Sequence, residues 1–170
     1  MDYAVPTNWQ PDLVPALAGM PVAELYGQLP RDFVGGGRAP ALIGRVTRRQ
    51  LRAHVKAVHH QGFLFNYTLN ATTMGNREFS IRGQRQLEAL VAFLLDAGVD
   101  RVTVAIPYLL EYLKRHAPAL EVTVSTQAVV ATAAQARRWA DLGADAIPLC
   151  VPHVPQDIPT PRTFRQPLAT

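Results

Sequence analysis

Three times the chain runs an amphipathic helix into a glycine and straight on into an apolar strand: residues 57–62 into 63–69, 93–98 into 102–106, and 139–143 into 144–149. A glycine just past a helix end takes the left-handed conformation that closes the last turn without steric cost. Repetition of this joint implies consecutive βα units, hence parallel strands with polar groups and ligands gathered at the strand ends. After Ile147 the rhythm gives way to a stretch holding Pro148, Pro152, Pro155, Pro159, Pro161 and Pro167. Prolines at that density forbid a helix. The chain therefore divides into a βα domain over residues 1–147 and an irregular, proline-rich tail over 148–170.

Between the joints, strands are expected at 3–7, 22–29, 63–69, 101–106 and 121–125, with a sixth starting at Asp145. Helices are expected near 11–18, after Thr47, after Ser80, over 108–115 and over 131–142. Leu51, His54, Val55 and Val58 share one helical face, and Leu87, Leu90, Val91, Leu94 and Leu95 form another stripe. Trp139 is expected to face the core, with Arg137 and Arg138 outside. Residues 63–69 are apolar or aromatic apart from Asn66 and Thr68, which fits a strand buried on both sides.

Such an alternation of six strands and five helices suits a doubly wound sheet or a (β/α)8 barrel. A doubly wound nucleotide fold carries a glycine fingerprint in its first βα turn, and Thr7-Asn8-Trp9-Gln10 has no glycine. The expected fold is therefore α/β, a partial (β/α)8 TIM-barrel-like wall. A full barrel takes about 250 residues. Two βα units are then wanting, as a truncation or a frame slip near residue 147 would produce.

Composition excludes several classes. With 170 residues, 48% hydrophobic and 18% charged, the chain has the make-up of a globular domain with a sizeable core. The net charge of +4 is modest. Part of it lies in Arg48, Arg49, Arg52 and Lys56 on one helix, read as a solvated face that leaves a weak RNA contact open. Cys150 is the only cysteine, so an intrachain disulfide or a cysteine-built metal site is excluded. His54, His59, His60, His116 and His153 share no strand-end position with a carboxylate, and no metal site is expected. No apolar run approaches the roughly 20 residues of a membrane span. The Met-Asp-Tyr-Ala start lacks the basic opening of a secretion signal, so a cytoplasmic location is expected.

The strand ends carry Asn8, Tyr26, Asn66, Asn70, Tyr108, Ser125, Thr126 and Gln127. Barrel enzymes place their sites on such a rim, where loops from several strands converge. Gly35-Gly36-Gly37-Arg38 adds a backbone that a ligand can approach closely, beside a guanidinium able to grip a carboxylate or phosphate. The same glycines also suit a plain crossing from strand to helix. Asn76-Arg77-Glu78 could hold a ligand or brace its own loop. The ligand-binding candidates are Tyr26, Gly36, Gly37, Arg38, Asn66, Asn70, Asn76, Arg77 and Tyr108. The rim offers no His–carboxylate pair, nucleophile elbow or paired carboxylates, so catalytic residues stay unassigned.

Several segments, in order, resemble the collagenase-like peptidase family, peptidase family U32. They are Glu24-Leu25-Tyr26-Gly27-Gln28-Leu29-Pro30 with Val34-Gly35-Gly36-Gly37-Arg38, Phe65-Asn66-Tyr67-Thr68-Leu69-Asn70-Ala71, Gly75-Asn76-Arg77-Glu78-Phe79, and Val104-Ala105-Ile106-Pro107-Tyr108-Leu109-Leu110-Glu111. With Leu142-Gly143-Ala144-Asp145 the similarity spans about residues 3–147. The resemblance implies a barrel domain of a bacterial cytoplasmic protein, of a family described as peptidases, hence hydrolases. It also implies relatives that hydroxylate RNA bases or serve oxygen-independent quinone biosynthesis with an iron–sulfur cluster. The cluster cysteines of those relatives follow the sixth strand, where residues 151–170 hold none and Cys150 stands alone. No cofactor is therefore expected in this chain. The competing readings are a ligand-binding barrel, an accessory module completed by a partner or a second copy through its open barrel edge, and an inactive fragment.

Overall fold

A computed structural model describes residues 2–37 and 43–148. Its five strands are β1 (Tyr3–Pro6), β2 (Val22–Gly27), β3 (Leu64–Leu69), β4 (Arg101–Val104) and β5 (Glu121–Val124). Five α-helices alternate with them: α1 (Leu13–Ala16), α2 (Arg48–His60), α3 (Ile81–Asp96), α4 (Pro107–His116) and α5 (Ala133–Asp141). Short 3₁₀ turns at Arg77–Phe79 and Thr126–Ala128 follow β3 and β5. The strands are all parallel and lie in chain order, β1-β2-β3-β4-β5. A doubly wound sheet reverses its order at a switch point; this one does not. Parallel neighbours in chain order, joined by crossovers that are right-handed as a rule, place successive helices on one face, the arrangement of a partial barrel wall.

The three glycine joints close as expected, and all in one way. Gly62, Gly98 and Gly143 have φ of 78°, 78° and 97°. At each joint two backbone bonds seal the helix end: Gly62 N–H to His59 with Phe63 N–H to Val58, Gly98 to Leu95 with Val99 to Leu94, and Gly143 to Ala140 with Ala144 to Trp139. This is the Schellman pattern, which satisfies carbonyls that the helix leaves open. The helix starts are equally explicit. Thr47 and Gln50 form a capping box on α2, Thr132 and Gln135 another on α5, and the Ser80 hydroxyl accepts from Gly83 N–H on α3.

The sixth strand is the main difference from expectation. Among the described residues it amounts to one parallel bridge, Thr123 to Ala146, beside Val124 N–H to Ala146 at 2.8 Å. Residues 149–170, with most of the tail, lie outside the described residues. Strand β3 also differs from expectation, because its two faces are unlike. Phe65, Tyr67 and Leu69 are fully buried toward the helices, together with Leu25, Val102, Val104, Val122 and Val124. Leu51, Val55 and Val58 of α2, Leu87 and Leu94 of α3, and Leu109 and Leu113 of α4 complete that core, and Trp139 joins it from α5. Asn66 and Thr68 point the other way. Strand geometry sends alternate side chains to opposite faces, so the polar residues of β2 to β5 collect on one inner surface.

Candidate functional site

The register stacks that inner surface in rows. Tyr26, Asn66, Arg101 and Glu121 are aligned across β2 to β5, and Thr68, Thr103 and Thr123 form the next row toward the strand ends. At the strand-start end, Arg101 bonds Glu24 at 2.9 Å and Glu121 at 2.6 Å. Burial pulls the Arg101 pKa down, but the two carboxylates outweigh it and hold the guanidinium charged. The Asn66 amide donates to Glu24 at 3.1 Å and its carbonyl accepts from the Thr103 hydroxyl at 2.9 Å. Thr68 donates to Gln28 at 2.8 Å.

Above these rows opens a cleft of about 590 Å³. Its floor is Tyr26, Asn66, Thr68, Thr103 and Thr123; its walls are the first βα turn, Gln28, Asn70, the 125–127 turn and Gly37. The size is that of a small-molecule or peptide side-chain site. The lining combines amides, hydroxyls and two aromatic rings, Trp9 and Tyr26, with the aliphatic Ala4, Ile43, Val124 and Pro148. Glu24 is the one charged side chain among the lining residues described, and Arg101 neutralises it.

The walls are pinned. Asn70 accepts from Gly37 N–H at 2.7 Å and donates to the Ser125 hydroxyl at 3.4 Å, so a single amide ties the loops after β2, β3 and β5. Ser125 in turn accepts from Gln127 N–H at 3.1 Å. A Cβ on Gly36 would lie 1.5 Å from the Gln28 carbonyl oxygen, and one on Gly37 would lie 1.9 Å from the Gln127 amide nitrogen. These two glycines let the loop descend onto the cleft walls. Further back, the buried Tyr67 hydroxyl donates to Asp32 at 2.7 Å and accepts from Leu29 N–H at 3.0 Å. Burial and the Asp32 charge push the Tyr67 pKa up, keeping the phenol a proton donor.

The first turn is held under strain. Trp9 has φ of 63°, a conformation that large side chains rarely adopt. Thr7 accepts from Trp9 N–H at 3.2 Å and shares a 2.8 Å hydrogen bond with His54 Nε2. The Trp9 ring sits 5.2 Å from the His54 ring and 6.0 Å from Phe65. Gly27 makes room for this packing, since a Cβ there would stand 2.4 Å from Thr7 Cγ2 and 3.0 Å from Trp9 Cζ2.

Of the residues singled out from sequence, Tyr26, Gly37, Asn66 and Asn70 come together in the cleft, joined by Asn8, Ser125, Thr126 and Gln127. Gly36 packs on Gln28 at its wall. Arg38 lies outside the described residues. Asn76, Arg77 and Tyr108 are elsewhere. Arg77 donates to the carbonyls of Met74 at 2.8 Å and Phe33 at 2.9 Å and stacks over the Phe33 ring, so its fork braces two loops. Asn76 takes φ of 62° to start the 3₁₀ turn. The Tyr108 hydroxyl accepts from Gln84 at 2.6 Å, and its ring lies 5.7 Å from Phe79. Gln28, Thr68, Thr103, Thr123 and Glu24 were missed, although their signal is the period-two alternation within each strand. Among the described residues no three His, Cys, Asp or Glu side chains converge as metal ligands, and Cys150 lies outside them. The described site does not fit an iron–sulfur cluster.

Residues 36–150 match peptidase family U32. The chain belongs to that family. It is 29% identical over 126 residues to a curated relative, the uncharacterized protease MJ1657 of Methanocaldococcus jannaschii, covering 74% of this chain and 36% of the relative. The solved structure of the U32 peptidase Mk0906 superposes with a TM-score of 0.70 at 23% identity, covering 88% of this chain and 58% of that one. The chain thus spans a little over a third of the curated relative and over half of the solved one. At that identity the structural likeness speaks for the fold, and it agrees with the sequential parallel sheet found here.

Proposed function

We propose that this chain forms the ligand-binding wall of a U32-type peptidase or hydrolase, and that its cleft receives a neutral, amide-bearing segment such as a peptide. The observation that carries the reading is the cleft lining, in which the Gln127 amide and the Thr123 and Thr126 hydroxyls stand beside Asn66 and Asn70, whose amides already join strands and loops, around a space with no uncompensated charge among the described lining residues. Side-chain amides donate and accept at once, as a peptide group does, so they match its two-sided hydrogen bonding. A nucleobase or a small acid has similar polar edges, but an acid would lack a cation among the described lining residues. No cofactor is assigned to this chain, and iron–sulfur chemistry, with RNA hydroxylation or quinone biosynthesis, is left to longer relatives. Cytoplasmic action belongs to the same reading; no helix among the described residues is long and apolar enough to cross a membrane.

The test is fluorescence polarisation with a labelled gelatin digest. Gln127→Ala, whose exposed side chain lines the cleft, should weaken binding about tenfold, in line with loss of one to two hydrogen bonds, while leaving the melting curve near that of the parent. Equal binding by both proteins would sink the reading. A non-catalytic accessory module is the second reading, favoured by β1, which pairs only with β2 among the described residues and exposes Tyr3 at 59%. Light scattering that shows one monomeric species counts against it. An RNA contact through α2 has less support, because Arg52 pairs with Asp96 and both Arg48 and Arg52 lie over the Phe93 ring.

A further inference from the structure

A second cavity, of about 380 Å³, stands beside the cleft. The two share a wall: Gln28 and Ile43 face the cleft, while Leu29 and Gly44 face the second space. Arg31, Arg45 and Arg48 line it, with Leu29, Pro30 and Val46 as its apolar surface, and no carboxylate is among its described lining residues. That arrangement contrasts with the other buried or bridging arginines. Arg52 pairs with Asp96, Arg101 with Glu24 and Glu121, and Arg77 with two carbonyls. Among the described residues Arg31 and Arg45 have no ion pair, hydrogen bond or ring contact. Arg48 lies over the Phe93 ring, its guanidinium carbon 4.6 Å from the ring centroid.

Three exposed arginines line one hollow beside apolar residues, and positive charges gathered on one surface favour an anion there. Helix α2 begins at Arg48, so its dipole adds the same sign. A carboxylate would balance one charge of three. A phosphate brings up to two charges and enough oxygens to take several N–H forks at once. We infer that this cavity is a phosphate-binding site, separate from the polar cleft and independent of what the cleft binds. A free phosphate and the phosphate of a nucleotide present the same chemistry to it.

Calorimetry of the intact chain with inorganic pyrophosphate at low ionic strength is the test. The parent should bind one equivalent, and the double variant Arg31→Gln with Arg45→Gln should bind about a hundredfold more weakly, roughly tenfold for each lost charged fork. Both side chains are exposed and unpaired, so the double variant should keep the parent's circular dichroism and melting temperature. Arg137→Gln, an exposed charge on α5, and Asn70→Ala in the cleft should each bind as the parent does. A second titration, with adenosine monophosphate against inorganic phosphate, supports a nucleotide source if the former binds tighter and a free phosphate if they are equal. Absence of heat with the parent at millimolar pyrophosphate overturns the site. So does undiminished binding by the double variant, or an equal loss in Arg137→Gln, which would reduce the effect to net charge.

Discussion

At the scale of single residues, the site depends on side chains that do two jobs at once. Asn70 spends both ends of its amide on joining loops, and Tyr67 both donates and accepts between Asp32 and Leu29. His54 is the clearest case with a pH signature. It was legible in the sequence as a core-facing position on α2, and it is indeed buried. What could not be read was its partner, Thr7, 47 positions away. Burial lowers the His54 pKa from 6.5, so the folded state keeps the ring neutral where the unfolded chain is already protonated. The unfolded state then binds more protons below pH 6.5, and stability from this residue falls as pH drops through that value. We expect an NMR titration of the His54 ring to give a midpoint below 6.5, and His54→Gln to flatten the stability loss between pH 7 and 5. A midpoint at or above 6.5 would contradict the buried, neutral ring.

At the scale of elements, the helix ends are the most readable part of the chain. The capping residues Thr47 and Ser80 and the glycines at 62, 98 and 143 act through neighbours in sequence, so local spacing suffices to find them, whereas Thr132, inside the span expected as helix, proves to be the cap of α5. A second device at the same joints escaped that reading. Asp100 and Asp145 each stand two residues past a joint glycine, and each carboxylate accepts the amide of a neighbouring strand's second residue: Phe65 N–H at 2.7 Å and Val122 N–H at 2.6 Å. A basic residue of a helix that precedes them holds each aspartate, His59 for Asp100 and Lys114 for Asp145. Sequence shows the repeated Gly-x-Asp but not that its carboxylate reaches across the sheet. Asp100→Ala leaves the amide of fully buried Phe65 without this acceptor. The expected cost is about 1–3 kcal/mol, read as a lower urea midpoint with an unchanged slope. Asp96→Ala, whose partner Arg52 is exposed, should cost under about 1 kcal/mol.

At the scale of the whole molecule, strands far apart in sequence are locked by the polar inner face. Arg101 joins β4 to Glu24 on β2 and Glu121 on β5, skipping or bridging neighbours across the sheet. Removing it leaves Glu24, largely buried, without its cation and facing a second carboxylate. Arg101→Ala should therefore destabilise the fold by about 3 kcal/mol, the lower end for a broken buried pair because these side chains retain some solvent. The loss should shrink when Glu24→Gln is added, since the repulsion goes with the charge. An additive double variant in chemical denaturation would mean that the two residues do not interact.

The sequence by itself determined the βα alternation, the apolar face of α2, that of α3 except for Leu95, which is exposed, and the family, because each of these rests on local spacing or on ordered short segments. Only the tertiary structure decided which rim residues meet. Tyr26, Asn66 and Asn70 share a cleft because parallel register aligns β2 and β3, whereas Arg77 and Tyr108 turn to nearby carbonyl and amide partners that spacing along the chain does not reveal. The three glycine-closed joints set up the parallel wall. The polar face of that wall, and the arginine-lined hollow beside it, follow from pairing across the sheet and from loops brought together over many residues.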